Sequence, residues 1–411
     1  MTFLYKTGIY FYSLISYLVS PFNLKARQFV KGRKNWSGKL AQQIETNARY
    51  IWVHCASLGE FEQGRPLIEA IKERHPEYRI ILTFFSPSGY EIRKNYPLAD
   101  IISYLPADTP KNARKFLRIT HPEKAFFVKY EYWYFYISEL KKRNIPLYQA
   151  SAIFRESQLF FKENAWGKWY REMLFRVTHF FVQDKKSEEL LVSIGIANVS
   201  LAGDTRFDRV AAIAAGSKEL PLVEKFRGDS KLLIAGSTWK PDEEMLAAFI
   251  NSVDDVKMII APHEVSAVNI NRLQQMLKKP AILYSQAKNK DPQLKQVLII
   301  DSIGLLSSLY RYGDVAYIGG GFGVGIHNIL EAATFGLPVI FGPKYQKFKE
   351  AVDLTKRAGA FTVKDFSELN SILKKLFADK NYLDETSSVS KKYVAENVGA
   401  TSLIIKKVFN K

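Results

Sequence analysis

The stretch that decides the fold is VAYIGGGFGVGIHNILEAATFGLPVIFGP, residues 315–343, in which an apolar run ends in glycines and a helical pattern follows directly. Its order of strand, loop, helix and strand is typical of a parallel α/β sheet. Because glycine lacks a Cβ atom, the loop can adopt positive φ and bring its N–H groups close to a ligand. The glycines are Gly319, Gly320, Gly321, Gly323 and Gly325.

The helix after this loop is predicted to begin near His327 and Asn328. Its first N–H groups have no partner within the helix, and the helix dipole adds partial positive charge, so a phosphate would be stabilised there. Glu331, one turn further along, could accept hydrogen bonds from a ribose diol, although an acid at that position also simply complements the dipole. We therefore predict a site for a nucleotide phosphate, the alternative being a tight turn without a ligand.

Composition limits the class of protein. The chain has 411 residues, 47% of them hydrophobic, which is enough for two or three globular domains. Its single cysteine, Cys55, excludes an internal disulfide and is typical of a reducing compartment. The net charge of +18 indicates an anionic partner, which could be membrane lipid, nucleic acid or a phosphorylated substrate.

The N-terminal residues combine an uncharged stretch with a basic one. Residues 7–24 carry no charge and are barely long enough to cross a bilayer, and residues 22–49 hold seven Lys or Arg against one acid. We predict that residues 1–24 form a membrane-anchoring helix, spanning the bilayer or lying in its interface, with the basic block on the cytoplasmic side. The alternatives are a cleaved signal peptide and a buried amphipathic helix with a solvated basic face.

The rest of the chain alternates strand and helix patterns twice. Six βα units, the first at IWVHCAS (51–57), are followed by VSLAGD (199–204), and the alternation restarts at KLLIAGS (231–237). This predicts two Rossmann-like, doubly wound parallel-sheet domains that face each other across a cleft. The predicted divisions are an anchor (1–24), an N-terminal domain (25–205), a linker (206–228), a C-terminal domain (229–390) and a helix that returns to the N-terminal domain (391–411).

Polar side chains in the first half follow predicted strands, where parallel sheets bind ligands. Glu60 follows the first strand and could act as general base on a hydroxyl, or it could be an ordinary acid at a helix start. Glu131 ends another strand among aromatic residues. Arg206 could reach an anionic group, the alternative being an ion pair with Asp204 or Asp208. The SPSGYE loop (86–91) offers the polar contacts Ser86, Ser88 and Gly89 to a substrate.

In the second half, strand-end loops are predicted opposite the glycine loop. Ser237 and Thr238 offer hydroxyl and N–H donors, and His263 could donate to a phosphate or a base. The sequence contains neither a GxxxxGK[ST] loop nor a D-x-D pair at a strand end, so we expect transfer without a metal, with basic side chains and the helix dipole stabilising the leaving phosphate.

Taken in order, these motifs resemble the 3-deoxy-D-manno-octulosonic acid (Kdo) transferases of lipopolysaccharide synthesis over nearly the whole chain. The motifs are GRK (32–34), SLGEF (57–61), TFFSPSGYE (83–91), YEYW (130–133), GDTRFD (203–208), AGST (235–238), APHE (261–264), DSIG (301–304) and the glycine-loop stretch.

The resemblance implies a GT-B glycosyltransferase without a cofactor. Its donor would be CMP-Kdo and its acceptor the lipid A precursor, at the cytoplasmic face of the inner membrane. Glu60 would be the proton acceptor, and Glu131 and Arg206 would support the transition state. Contacts to CMP would come from Ser237 and, by the resemblance, from Pro262, His263, Gly304, Leu305, Leu306, Asn328, Ile329, Leu330 and Glu331.

Two other functions remain open at this point. A GT-B enzyme with a UDP-sugar donor would show the same domain pattern. A nucleic-acid-binding protein would account for the charge, but the sequence has no zinc, helix-turn-helix or aromatic RNP signature, so we expect no nucleic-acid partner.

Overall fold

Two parallel sheets of seven strands each form the framework of the part of the chain described by the computed structural model, residues 1–287 and 291–410. The chain divides into two compact units, one comprising residues 1–209 with those from Val398 onward, and the other comprising Val210–Asn397. The two parallel α/β sheets predicted from the sequence are confirmed. The residue limits predicted for the domains remain a prediction.

The first unit begins with three helices and continues as alternating strands and helices. Its elements are α1 (Thr2–Val19), α2 (Leu24–Arg33), α3 (Trp36–Gln43), β1 (Arg49–Cys55), α4 (Leu58–Arg74), β2 (Tyr78–Phe84), α5 (Pro87–Arg93), β3 (Ile101–Tyr104), α6 (Pro110–Thr120), β4 (Pro122–Val128), α7 (Tyr134–Lys142), β5 (Leu147–Ala152), α8 (Ala165–Leu174), β6 (His179–Val182), α9 (Lys185–Ser193), β7 (Val199–Leu201) and α10 (Thr205–Ala215).

Strands of this sheet lie in the order β3-β2-β1-β4-β5-β6-β7. The central strand β1 is buried from Tyr50 to Cys55, and this continuous apolar run is typical of a strand covered on both faces. Its side chains alternate between two cores: Trp52 packs with residues of α6 and α7, and Val53 packs with residues of α4. The sheet is therefore doubly wound, with a reversal of strand order between β1 and β4.

The second unit repeats the pattern. Its elements are α11 (Pro221–Arg227), β8 (Lys231–Thr238), α12 (Lys240–Asn251), β9 (Val256–Pro262), α13 (Ala267–Met276), β10 (Ala281–Leu283), β11 (Val297–Ile299), α14 (Leu306–Leu309), β12 (Val315–Ile318), α15 (Leu330–Ala333), β13 (Val339–Phe341), α16 (Lys349–Lys356), β14 (Ala360–Thr362), α17 (Phe366–Ala378) and α18 (Lys380–Asn397).

The strands of the second sheet lie in the order β10-β11-β9-β8-β12-β13-β14. The chain order reverses between β8 and β12, so the loops that follow these two strands are neighbours. The sequence did not predict β14, whose three residues give too short an apolar run to separate it from a loop.

One local prediction in the deciding stretch is wrong. The helix expected to start near His327 starts at Leu330 and ends at Ala333, a single turn. Residues before it fold back over the glycine loop, as shown by the His327 N–H that donates to the Gly319 carbonyl at 3.2 Å. Gly336, at φ +80°, ends the turn. So short a helix has only a small dipole, and a phosphate here would depend mainly on loop N–H groups.

The last helix, α19 (Ala400–Phe409), belongs to the first unit. Ile404, Ile405 and Val408 pack into the core beside α4, and the Phe409 ring stacks on His75 with ring centres 4.1 Å apart. Asp208 accepts hydrogen bonds from the N–H groups of Gly399 at 2.6 Å and Thr401 at 2.7 Å, so it caps the start of this helix.

The helix α1 lies on the first unit with its more polar side inward. Tyr5 donates to Asp108 at 2.7 Å, and the half-buried positions include Ser13 and Ser16. Its outward side carries large apolar residues, among them Phe11 and Leu18, which are 62% and 61% exposed. A buried amphipathic helix, one of the alternatives, is therefore wrong, since no residue of α1 is buried. Within the described residues, no helix is both long and apolar enough to cross a membrane.

The GRK motif has a structural explanation. Arg33 is half-buried, and its guanidinium donates to the carbonyl oxygens of Leu105, Phe29 and Phe85 at 2.9, 3.1 and 2.7 Å. Burial lowers the pKa of Arg33 to about 9, against the opposing influence of Tyr104. Arg33 therefore ties α2 to the ends of β2 and β3, and it does not belong to the exposed basic block in which the sequence had counted it.

Candidate active site

In each unit the predicted site residues lie at the carboxyl edge of the sheet, beside the reversal of strand order. In the first unit, Glu60 follows β1 and Glu131 follows β4, and these two strands are paired neighbours. In the second unit, Ser237 lies at the end of β8 and the glycine loop follows its neighbour β12. Reversal points at this edge are where open α/β sheets bind their ligands.

Glu60 is the third residue of α4 and is half-buried. The Ser57 hydroxyl, one residue before the helix, donates a hydrogen bond to its carboxylate. A first-turn carboxylate is favoured by the helix dipole, so the position stabilises the anion needed by a base as well as the helix itself. Both interpretations of Glu60 given by the sequence are therefore compatible with its placement.

Glu131 is buried and accepts two hydrogen bonds on one oxygen. Its Oε2 lies 3.0 Å from His54 Nε2 and 2.6 Å from Trp133 Nε1. His54, on β1, is completely buried, and its Nδ1 lies 2.8 Å from the Thr83 hydroxyl. Sequence reasoning missed His54 and Trp133; the available signal was a histidine inside an otherwise apolar strand.

Arg206 forms the ion pair that the sequence left open as an alternative. Its guanidinium Nε and Nη2 donate to Asp204 Oδ2 at 2.9 and 2.8 Å, and Asp204 also accepts from Gln63. Burial would raise the pKa of Asp204, but the Arg206 charge and the hydrogen bonds outweigh burial, and the pKa lies below its ordinary value. The other candidate partner, Asp208, caps α19 instead.

Tyr130 joins this group although the sequence analysis did not single it out. Burial raises the pKa of its hydroxyl; the charge of Arg155 lowers it, that of Glu60 raises it and that of Arg206 lowers it. The charges of Glu60, Arg155 and Arg206, which follow β1, β5 and β7, therefore act on this hydroxyl. The structure therefore brings both acids and the arginine predicted for the first unit to one edge of the sheet.

The SPSGYE loop lies against the turn that carries Glu60. Phe85 and Ser86 donate their N–H groups to the Ala56 carbonyl at 3.1 and 2.7 Å. A Cβ atom at Gly89 would lie 2.3 Å from the Phe84 ring and 3.0 Å from the Ser57 backbone, so only glycine fits there. Gly89 thus has a packing role, while the exposed Ser88 hydroxyl can contact a substrate.

The glycine loop of the second unit is held by close backbone packing. A Cβ atom at Gly319 would lie 2.3 Å from the Ser237 carbonyl oxygen, and one at Gly321 would lie 2.6 Å from the Gly342 backbone. Ser237 itself adopts φ +53°, an uncommon conformation for a residue with a side chain. The loop therefore needs glycine at these two positions in order to lie against β8 and β13.

Asp242, the third residue of α12, holds the two loops together. Its carboxylate accepts from the N–H groups of Gly320 at 3.1 Å and Trp239 at 2.9 Å, and from the Tyr317 hydroxyl at 2.8 Å. Burial raises the pKa of Asp242, and the hydrogen bonds from Trp239 and Gly320 oppose that rise. Sequence reasoning missed this residue because its partner Gly320 lies 78 positions away.

Three aromatic rings meet beside the glycine loop. Trp239 and His327 each stack on His263 with ring centres 4.5 Å apart, and Trp239 Nε1 donates to His327 Nε2 at 3.2 Å. Burial lowers the pKa of His327, and the neighbouring His263 lowers it further. The stack brings the predicted His263 to the segment 327–331, with Trp239 and His327 as residues that the sequence analysis had not assigned.

The other residues predicted to contact CMP differ in their exposure. Asn328 is exposed, and its amide donates to Glu331 at 3.1 Å. The side chains of Ile329 and Leu330 are buried, so only their backbones could meet a ligand. Pro262 is buried at the end of β9, Gly304 is exposed at φ +93°, and the half-buried Leu305 and Leu306 begin the turn that packs under Gly236.

One protein-family model matches most of the first unit. A family model described as 3-Deoxy-D-manno-octulosonic-acid transferase (kdotransferase) matches residues 31–209. This range holds Glu60, Glu131 and Arg206.

Two curated relatives extend the match. The 3-deoxy-D-manno-octulosonic acid transferase of Aquifex aeolicus is 26% identical over 337 residues, covering 80% of this chain and 86% of its own. The transferase of the same name from Rickettsia felis is 27% identical over 361 residues, covering 85% and 76%.

Among solved structures, the chain resembles the UDP-GlcNAc 2-epimerase of Neisseria meningitidis with a TM-score of 0.62. The match is 13% identical and covers 88% of this chain and all of that one. This likeness shows the fold, which is GT-B-like. Residues 31–209 therefore match the Kdo transferase family model, and the chain is similar to Kdo transferases over most of its length.

Proposed function

We propose that the chain is an inverting glycosyltransferase that transfers Kdo from CMP-Kdo to the lipid A precursor in lipopolysaccharide synthesis. The proposal rests on the relatives and on one observation, the two carboxylates Glu60 and Glu131 at the strand-order reversal of the first sheet.

In the proposed reaction, a hydroxyl oxygen of the acceptor attacks the anomeric carbon of Kdo. Glu60 takes the hydroxyl proton as the new carbon–oxygen bond forms. The bond from the anomeric carbon to the phosphate oxygen breaks, and CMP leaves with that electron pair from the opposite face. One displacement of this kind inverts the anomeric configuration.

Charged side chains at the carboxyl edge of the first sheet would stabilise the reacting sugar. Arg206 would face the Kdo carboxylate, held in place by its ion pair with Asp204. Glu131 would support the positive charge that develops on the sugar ring in the transition state. We propose that no metal takes part, because the sequence lacks a D-x-D pair at a strand end.

The donor nucleotide would bind at the second sheet. Its phosphate would lie against the backbone of the glycine loop, whose Gly320 N–H is itself held by Asp242, and its base would lie beside the Trp239–His263–His327 stack. Asp242 fixes the spacing between these parts. Asn328 and Glu331 would then contact the ribose.

The acceptor would be reached from a membrane surface, with the chain at the cytoplasmic face of the inner membrane. The outward side of α1 is apolar, and Lys25, Arg27, Lys31 and Lys34 next to it are exposed. This combination suits a helix that lies in the interface of an anionic leaflet. We therefore propose the interfacial arrangement for the predicted anchor.

The donor class is tested by measuring which nucleotide, CMP or UDP, stabilises the protein against heat. A ligand at 100 times its Kd adds about 2.7 kcal/mol to the free energy of unfolding, which raises the melting temperature measurably. We expect CMP to raise it and UDP at the same concentration to leave it unchanged. A shift with UDP and none with CMP would instead favour a UDP-sugar transferase.

A further inference from the structure

Five side chains form a continuous hydrogen-bonded series that ends at Glu131. Trp52 Nε1 donates to the Thr83 hydroxyl at 2.8 Å, and that hydroxyl lies 2.8 Å from His54 Nδ1. His54 Nε2 lies 3.0 Å from Glu131 Oε2 and 3.1 Å from Trp133 Nε1, and the Trp133 indole N–H also donates to Glu131 Oε2, at the shorter distance of 2.6 Å. Trp52, Thr83 and His54 are fully buried.

The chemistry of the two ends supports one direction for the series. An indole N–H can only donate, so the Thr83 oxygen accepts from Trp52 and has its own hydrogen available for His54 Nδ1. An ionised carboxylate can only accept, so the hydrogen between His54 and Glu131 belongs to His54 Nε2. Every donor in the series then has an acceptor, as buried polar groups require.

We propose that His54 is a positioning residue for the transfer reaction. The Thr83 hydroxyl holds its ring as the neutral tautomer with the proton on Nε2, and that N–H holds Glu131 as a carboxylate in one orientation. Both donors reach Oε2, which leaves Oε1 to be directed at the substrate. This inference rests on the proposed function, because it acts through Glu131.

The tautomer of His54 should depend on the Thr83 hydroxyl. Its Nδ1 also lies 3.1 Å from the Thr83 carbonyl oxygen, which can only accept. In a Thr83→Val variant, Nδ1 would carry the proton and donate to that carbonyl. The lone pair of Nε2 would then face the Glu131 carboxylate and the Trp133 indole N–H, so Glu131 would lose the hydrogen bond from His54 and keep only the one from Trp133. Thr83→Ser keeps the hydroxyl and is the matched control.

Nitrogen NMR of the 15N-histidine-labelled full chain reads the tautomer directly. The signals of His54 are those that disappear in His54→Gln. We expect a protonated Nε2 and an unprotonated Nδ1 in the wild type and in Thr83→Ser, and the reverse in Thr83→Val. A wild-type ring with the proton on Nδ1, or with both nitrogens protonated at neutral pH, would overturn the proposal whatever the activity.

Kinetics test whether the orientation matters. A small displacement of a reacting group can lower the rate on the order of 10²-fold, so we expect Thr83→Val and His54→Leu to lose kcat to about that extent with KM for the donor unchanged. His54→Gln, which can still donate to Glu131, should recover part of the loss. The control is His179→Gln, at the first residue of β6 and so at the amino end of the strands. Its kcat should equal that of the wild type.

The outcomes separate this inference from the proposed function. Unchanged kcat in Thr83→Val, with its tautomer reversed by NMR, would overturn the positioning role. Full activity of Glu131→Gln would refute the role of Glu131 in the proposed function, while the hydrogen-bonded arrangement would still be read from the NMR spectrum. Equal losses in His54→Gln and His54→Leu would contradict the need for a donor at this position.

Discussion

Glu60 is the residue on which the proposed chemistry depends most. Replacing it by glutamine keeps its size and its place in α4 but removes its ability to take a proton. A positioned base typically contributes a factor of ~10² to 10⁴, so kcat of Glu60→Gln should fall by about that factor. Turnover measured with CMP-Kdo and lipid acceptor checks this. Glu73→Gln, an exposed position near the other end of the same helix, serves as control and should keep wild-type turnover.

Asp108 predicts a pH dependence of stability. Burial raises the pKa of its carboxyl to about 6, while hydrogen bonds from Tyr5, Phe135 and Tyr136 act in the opposite direction. Between about pH 4 and 6 the folded protein keeps a proton that the unfolded chain has lost, so this group's contribution to stability decreases as the pH rises. A shift of about two units corresponds to about 3 kcal/mol.

The test of this dependence compares Asp108→Asn with the wild type. His179 acts in the opposite sense, since burial lowers its pKa to about 4, and it contributes equally to both proteins. The difference in free energy of unfolding, wild type minus variant, should therefore shrink between pH 4.5 and pH 7. A difference that stays constant over that range would show that Asp108 does not titrate as described.

At the level of single residues, the sequence could predict acids and polar loops at strand ends but not their partners. Glu60 and Ser57 lie within one turn, so their proximity follows from the chain itself. His54 and Glu131 are 77 positions apart and meet only because β1 and β4 pair. Which distant side chains share a hydrogen bond depends on strand order, which the local pattern does not contain.

Among the elements, the junction of α12 with the glycine loop carries a prediction. In the wild type, two N–H groups donate to the Asp242 carboxylate. Asp242→Asn keeps the size of the side chain but replaces that carboxylate with an uncharged amide. A hydrogen bond to a charged group contributes about 1.5–3 kcal/mol, so CMP affinity should weaken about tenfold or more as the loop loses its position. Calorimetric titration with CMP measures this. Unchanged affinity would remove the loop from the donor site, and Glu244→Gln, exposed on the same helix, should bind CMP normally.

The helix α19 carries a second prediction. Asp208→Ala removes the acceptor for the N–H groups of Gly399 and Thr401, and the loss of such a cap costs about 1 kcal/mol. Hydrogen exchange in residues 400–409 should therefore become faster than in the wild type. Asp229→Ala, at an exposed turn of the second unit, should leave it unchanged. Equal exchange in both variants would contradict the capping role.

The secondary structure agrees with the sequence-based prediction where apolar runs are long, and differs from it around the glycine loop. The first strand of each sheet in chain order, β1 and β8, was predicted within two residues because continuous apolar runs specify buried strands. The helix after the glycine loop was predicted to start too early in the chain. Its first residues are instead held by the His263 stack and by the hydrogen bond to Gly319, which no local propensity records.

The whole molecule is predicted to associate with anionic membranes through the outward side of α1. Phe11→Ser combined with Leu18→Ser removes exposed apolar area without touching the Tyr5–Asp108 contact, so the melting temperature should stay the same. Co-sedimentation with anionic vesicles should fall well below that of the wild type. Ile92→Ser, a residue 58% exposed outside α1, is the control. Equal sedimentation of all three proteins would exclude α1 as the membrane contact.

The central claim is that this protein of two Rossmann-like units transfers Kdo to a lipid acceptor. The most direct test is mass spectrometry of the lipid A precursor after incubation of the purified full chain with CMP-Kdo. We predict that the acceptor gains the mass of one or more Kdo residues, that CMP is released in equal amount, and that Glu60→Gln nearly abolishes both. An acceptor of unchanged mass beside active protein, or CMP release by hydrolysis alone, would contradict the account.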